Sequence, residues 1–191
     1  MSLQDFSTAA AAPLLPLELW LPGELLSRAV PAALAGWLNA SGLLTERIAA
    51  ASAAAAGLRL IEQRLGFLGR DQQALLEAPS TSCLVREVVL TAGGRPWVFA
   101  QSLIPDCTLE LHPWLAELGE ASLGATLAAI PDVERSAFEF APLPPAHPLA
   151  ARALEVCREE PAVLWGRRSW FGLKGRRLLV QELLLPAVTQ C

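Results

Sequence analysis

The chain has 191 residues, 53% of them hydrophobic and 18% charged, with a formal net charge of −4 at pH 7. That length suits one domain with a sizeable core, and an acidic chain without a Lys/Arg stripe interleaved with aromatics is not expected to bind nucleic acid. Cys83, Cys107, Cys157 and Cys191 stand far apart, and only His112 and His147 could complete a metal site, so reduced cysteines and no metal centre are expected.

Residues 1–16 are rich in Ala and Pro and are expected to form a loose N-terminal segment of a single domain spanning 1–191. The apolar run over 9–26 is broken by Pro13, Pro16, Glu18, Pro22 and Glu24, and no basic region precedes it. It fits neither a transmembrane helix nor a signal peptide, so a cytoplasmic protein without membrane insertion is expected. Residues 23–38 carry helical spacing of Leu, Val and Trp, with interruptions expected at Pro31 and Gly36. Residues 39–42 break the helix, and an Ala-rich helix over 43–56 is expected to stop at Gly57.

Residues 58–67 alternate as a strand, and 70–78 read as a short polar connection. The stretch 83–90 is β-rich and is followed by the turn Ala92-Gly93-Gly94-Arg95 and a second strand over 96–104. Residues 114–127 read as a helix or a pair of helical pieces, 136–141 as a strand, 142–148 as an extended Pro-rich connection and 149–159 as a short helix or irregular segment. Two strand-like runs on either side of Lys174-Gly175 close the chain as a β-hairpin. Hairpin-linked strands with helices at the front and middle predict an α+β fold on a single antiparallel sheet.

Two strands carry a charge out of keeping with its neighbours. Side chains alternate faces along a strand, so Arg86 shares a face with Leu84, Val88 and Leu90, and Glu182 with Leu178, Val180 and Leu184. A charge aimed into apolar surroundings needs a partner, a proton or a ligand. Either the two form a buried ion pair with each other, or a small flat ligand with polar ends lies between them. In the second case Arg86 would fork onto a ligand carboxylate. Glu87, on the opposite face with Val85 and Val89, is a weaker candidate and can pair with a basic residue nearby. His112 and His147 each precede a proline and read as loop positions. No nucleotide-binding glycine loop, nucleophile elbow or zinc-protease motif is present, so chemistry without nucleotide, metal or nucleophilic triad is expected.

The blocks Leu84-Val85-Arg86-Glu87-Val88-Val89-Leu90 and Gly94-Arg95-Pro96-Trp97 resemble the matching strand and turn of bacterial chorismate pyruvate-lyases. So do Leu118-Gly119 with Leu123-Gly124, Leu164-Trp165-Gly166-Arg167-Arg168-Ser169, and Glu182-Leu183-Leu184-Leu185-Pro186. The resemblance covers residues 58–187 well and the helical front more loosely. It implies a cofactor-independent lyase that turns chorismate into 4-hydroxybenzoate and pyruvate, the first committed step of ubiquinone biosynthesis. It also implies an antiparallel sheet with helices packed on one side and helical flaps over a buried ligand. By the same resemblance Arg86 holds the ring carboxylate and Glu182 meets the ring hydroxyl. The backbone amide of Leu123 contacts the ligand, and Leu44 stands where many members carry a methionine that does likewise. Arg167 or Arg168 is a further candidate for the second carboxylate of chorismate. The expected partners are chorismate and 4-hydroxybenzoate alone, with a monomeric chain. A second reading is a non-catalytic aromatic-acid binding module of the same fold, an effector-binding domain or a carrier, which pyruvate release would distinguish.

Overall fold

The computed structural model describes residues 20–26, 29–157, 159 and 161–190; the segment 1–16 expected to be loose lies outside the described residues. The chain runs through β1 (Leu21–Pro22), α1 (Gly23–Leu26), α2 (Ala32–Leu38), α3 (Leu44–Ser52) and the long strand β2 (Ala56–Phe67). After α4 (Arg70–Leu76) come the hairpin strands β3 (Ser82–Ala92) and β4 (Arg95–Pro105), then α5 (Asp106–Leu111), a 3-10 turn at Pro113–Ala116 and α6 (Leu123–Ala128). The short β5 (Glu134–Arg135) leads to β6 (Glu139–Leu143), α7 (Pro148–Leu154) and the closing strands β7 (Leu164–Leu173) and β8 (Arg176–Leu184). All pairings are antiparallel in one sheet of order β1-β6-β7-β8-β4-β3-β2, with β5 beside β7. This is the α+β architecture expected from the hairpin-linked strands.

Both tight hairpins turn on residues read from the sequence. Gly93 and Gly94 have φ of 56° and 75°, and Lys174 and Gly175 have φ of 47° and 78°. Two left-handed residues in succession give the turn whose twist matches that of the flanking strands.

The inner face of the sheet holds two apolar clusters with a gap between them. Trp37 and Leu38 of α2 and Leu44 and Ile48 of α3 pack on Leu90, Val98 and Leu184. Six residues along the same strands, Leu123 and Leu127 of α6 pack on Leu84, Ile104 and Leu178, with Phe171 of β7 beside them. Each fully buried aliphatic side chain contributes about 1.5–3 kcal/mol relative to exposure. Between the clusters, β3, β4 and β8 present Arg86, Val88, Ala100, Ser102, Val180 and Glu182. The other face is covered as well, by Leu76 of α4 against Cys83, Val85, Leu103 and Leu179, and by Ala150 and Ala153 of α7 against Val89, Phe99 and Leu183. One-sided helix packing therefore describes only the helices that roof the gap. Cys83 is fully buried, and desolvation, reinforced by Asp106, pushes its thiol up to about 11. Among the described residues Cys83, Cys107 and Cys157 are free thiols.

Several boundaries differ from those expected. Gly36 lies inside α2, where a Cβ would sit 2.8 Å from Arg47 Nη2; the glycine makes room for a guanidinium stacked 4.7 Å from the Trp37 ring. Helix α3 ends at Ala53, with φ of 52°, and Gly57 belongs to β2. Residues 70–76 form a helix, opened by Gly69 N–H donating to Gln72 Oε1 at 2.8 Å, rather than a polar connection. Helix α5 was not foreseen; its buried Thr108 donates to the Arg177 carbonyl at 2.7 Å.

Candidate active site

The gap between the inner-face clusters is a cavity of about 340 Å³. Its floor is the sheet, and its roof comes from the segments that open α3 (residues 41–45) and α6 (residues 122–124). Arg86 and Glu182 both line it. They stand on β3 and β8, which flank β4, and the intervening positions are the small residues Ala100 and Ser102. Across two strand spacings and a two-residue offset, their Cα atoms are separated by roughly 12 Å. Among the described residues no ion pair joins them; each has its own partners.

Arg86 is only 1% exposed. Its Nη2 donates to the carbonyls of Gly119 and Ala121, both at 2.9 Å, so the guanidinium ties down the loop before α6. Its Nε is buried with no hydrogen-bond partner among the described residues. A buried guanidinium facing carbonyls but no carboxylate carries an uncompensated charge, and burial accordingly lowers its pKa. An anionic ligand would supply the missing counter-charge and an acceptor for the orphaned donor.

Glu182 is held by Arg167, its register partner on β7, with Arg167 Nε donating to Glu182 Oε2 at 2.6 Å. Arg167 is 1% exposed, and its Nη1 also donates to the carbonyls of Trp37, Leu38 and Ala40 at 3.2, 3.3 and 2.6 Å. Those groups lie at the end of α2, where helix carbonyls lack intrahelical donors and a cation is favoured. One arginine thus fixes the glutamate and fastens the segment leading into the α3 roof. The sequence offered Arg167 only as a possible carboxylate ligand. Its alternation with Glu182 across the closing hairpin was the signal that could have paired them.

Arg168 points to the other face, bound to Glu139 Oε2 at 2.6 Å and Asp71 Oδ2 at 3.1 Å, and takes no part in the cavity. Glu87 is on that face too. It accepts from Arg152 Nε at 2.6 Å and Gln101 Nε2 at 2.9 Å, and Gln101 in turn accepts from Gln181 Nε2 at 3.1 Å. Glu139, Arg168, Gln181, Gln101, Glu87 and Glu62 are successive register partners, so a polar row crosses six strands behind the cavity. It explains Glu87 without a ligand. Gly166, beside Arg167, is required by close approach: a Cβ there would lie 2.4 Å from Leu183 Cδ2.

Leu44 and Leu123 are the first residues of α3 and α6, and both line the cavity. First-turn amides have no acceptor within their own helix. Arg135 also lines the cavity and was not identified from the sequence, because β5 is only two residues long. His147 caps α7, its Nδ1 accepting from Leu149 N–H at 3.2 Å, and His112 ends α5; neither lines the cavity. Among the described residues no group of three His, Cys, Asp or Glu could hold a metal ion, and no helix is long and apolar enough to cross a membrane.

A family model described as chorismate lyase matches residues 14–190. A probable chorismate pyruvate-lyase of Aromatoleum aromaticum is 38% identical over 178 residues, covering 91% of this chain and 95% of that protein. Another from Nitrosospira multiformis is 37% identical over 158 residues, covering 81% and 87%. Among solved structures, the effector domain of PhnF from Mycobacterium smegmatis superposes with a TM-score of 0.55 at 19% identity, over 76% of this chain and 90% of that one. That likeness concerns the fold alone.

Proposed function

This chain belongs to the chorismate lyase family, and from that premise we propose that it is a chorismate pyruvate-lyase, releasing pyruvate from chorismate to leave 4-hydroxybenzoate for ubiquinone biosynthesis. The observation that carries the reading is the cavity itself. An arginine with an orphaned donor faces it from one side and a fixed carboxylate faces it from another, with only Ala100 and Ser102 between them. Arg86 anchors the ring carboxylate. Glu182 accepts a hydrogen bond from the ring hydroxyl. The amides that open α3 and α6, at Leu44 and Leu123, contact the ligand from the roof.

In the reaction the ether bond between the ring and the enolpyruvyl group breaks. The hydrogen on the hydroxyl-bearing ring carbon leaves, and the enolpyruvyl methylene becomes the pyruvate methyl group. Aromatisation drives these changes, so the protein has chiefly to hold ring and side chain in a reactive geometry. A hydrogen passing directly from ring to methylene requires no side-chain acid or base. Glu182 is already one half of an ion pair with Arg167, which suits it to accepting and orienting the hydroxyl. With no cofactor in this reading, every one of these tasks falls to residues of the chain.

Incubating the purified protein with chorismate, with lactate dehydrogenase and NADH to report pyruvate, tests the proposal. One pyruvate and one 4-hydroxybenzoate per chorismate are expected. Tight binding of 4-hydroxybenzoate with no pyruvate release would assign the chain to the non-catalytic binding modules of this fold. Glu182→Gln refines the test in single-turnover mode, free of slow product departure. An orienting role predicts a loss well below the roughly 10²–10⁴-fold typical of a missing general acid or base. A loss at the upper end of that range, with affinity and fold intact, would make Glu182 the proton-transfer group.

A further inference from the structure

We propose that Arg135 receives the enolpyruvyl carboxylate of chorismate, the carboxylate that departs in pyruvate. The inference rests on the reading of the cavity as a chorismate site. Among the described residues four charged side chains line that cavity: Arg86, Arg135, Arg167 and Glu182. Their formal charge of +2 matches a substrate with two carboxylates and exceeds what 4-hydroxybenzoate alone neutralises. One guanidinium, Arg86, is placed for the ring carboxylate.

The second carboxylate needs another cation, and two arginines of the closing hairpin are already engaged. Arg167 commits its Nε to Glu182 and its Nη1 to three carbonyls. Arg168 is paired with Glu139 and Asp71 on the far face of the sheet. Arg135 differs from both. Among the described residues its side chain makes one hydrogen bond, from Nε to Ser169 Oγ at 3.0 Å, and no carboxylate of those residues lies within ion-pair distance of it. The side chain keeps accessible surface while lining the cavity.

Its orientation is nonetheless fixed. The guanidinium carbon sits 4.3 Å from the centre of the Phe138 ring and 4.8 Å from that of Phe171. Rings against the face of a guanidinium leave its N–H edges free for an anion in the plane. The strand pairing puts Arg135 opposite Phe171, on the stretch of β7 that also bears Ser169 and Arg167. Arg135 is exposed by surface area, yet partial desolvation of its guanidinium lowers its pKa, a shift that Glu182 opposes and Arg167 reinforces.

The test compares 4-hydroxybenzoate with the dianion 3-(1-carboxyvinyloxy)-4-hydroxybenzoate, which adds the enolpyruvyl group and its carboxylate to the same ring. Arg135→Gln is expected to weaken the dianion, and to raise KM for chorismate, by roughly tenfold to a hundredfold, the scale of a charge-assisted hydrogen bond. Affinity for 4-hydroxybenzoate should stay within about twofold, and Arg135→Lys should recover part of the loss. Ser169→Ala removes only the Nε anchor, and should raise KM for chorismate more mildly with 4-hydroxybenzoate unaffected, even if Arg135→Gln does not fold. Equal losses for both ligands, or no loss for either, would overturn the assignment. Wild-type protein that releases no pyruvate and binds neither ligand would instead remove the chorismate reading, and this inference with it.

Discussion

Replacing Arg86 with Ala is expected to weaken 4-hydroxybenzoate binding by about 1.5–3 kcal/mol or more, a loss of at least tenfold in affinity. The expectation comes from the way the guanidinium is divided. Nη2 is spent on the Gly119 and Ala121 carbonyls, while the buried Nε has no acceptor among the described residues. Truncation therefore removes the ligand's counter-charge and the tie that holds the loop before α6. Arg86→Lys should also bind poorly, because an ammonium cannot serve the two loop carbonyls and a carboxylate from one rigid plane. Calorimetry decides the matter: unchanged affinity in both variants would remove Arg86 from the site.

Arg167→Met is expected to be the most destabilising single change in the site. It leaves the Glu182 carboxylate, 15% exposed, without its partner and the carbonyls of Trp37, Leu38 and Ala40 without their donor. Breaking a buried pair from one side costs about 3–5 kcal/mol. For a chain of this size that is a fall in Tm of roughly 6–20 °C. The double change Arg167→Met with Glu182→Leu should regain much of that stability, since apolar replacement of a buried pair is often neutral. It should not regain turnover, because nothing then orients the ring hydroxyl. Thermal melts and pyruvate release measured on the same three proteins check both halves. A single variant as stable as the wild type would show that the pair does not hold the α2–α3 segment.

The sheet was legible because its strands carry their own punctuation. The Gly93-Gly94 and Lys174-Gly175 turns fix both hairpins and, with them, the faces on which Arg86 and Glu182 sit. The helices were harder to delimit, because their ends depend on contacts made elsewhere. Position 36 is a glycine inside a helix because a Cβ there would crowd Arg47, and Ala53 adopts a left-handed conformation that sequence alone would assign to Gly57. Helix α4 buries little besides Leu76, so its sequence shows no apolar period. Within the site, the isolated charges on apolar strands were visible as anomalies. Their partners were not. Whether Arg167 or Arg168 faces Glu182 follows from the register of β7 against β8, and Arg135 enters the cavity from a two-residue strand with no pattern to read. Glu87, which looked like a lesser version of the same anomaly, is satisfied by Arg152 from a helix 65 residues away in sequence.

The central claim is that one small ligand is held by Arg86 at one end and Glu182 at the other. A crystal structure of the protein with 4-hydroxybenzoate tests it most directly. The ligand carboxylate should lie within hydrogen-bonding distance of the Arg86 guanidinium and the ring hydroxyl within the same reach of Glu182, with Ala100 and Ser102 beneath the ring. A ligand bound in the reverse sense, or outside the cavity between the two inner-face clusters, would contradict the account.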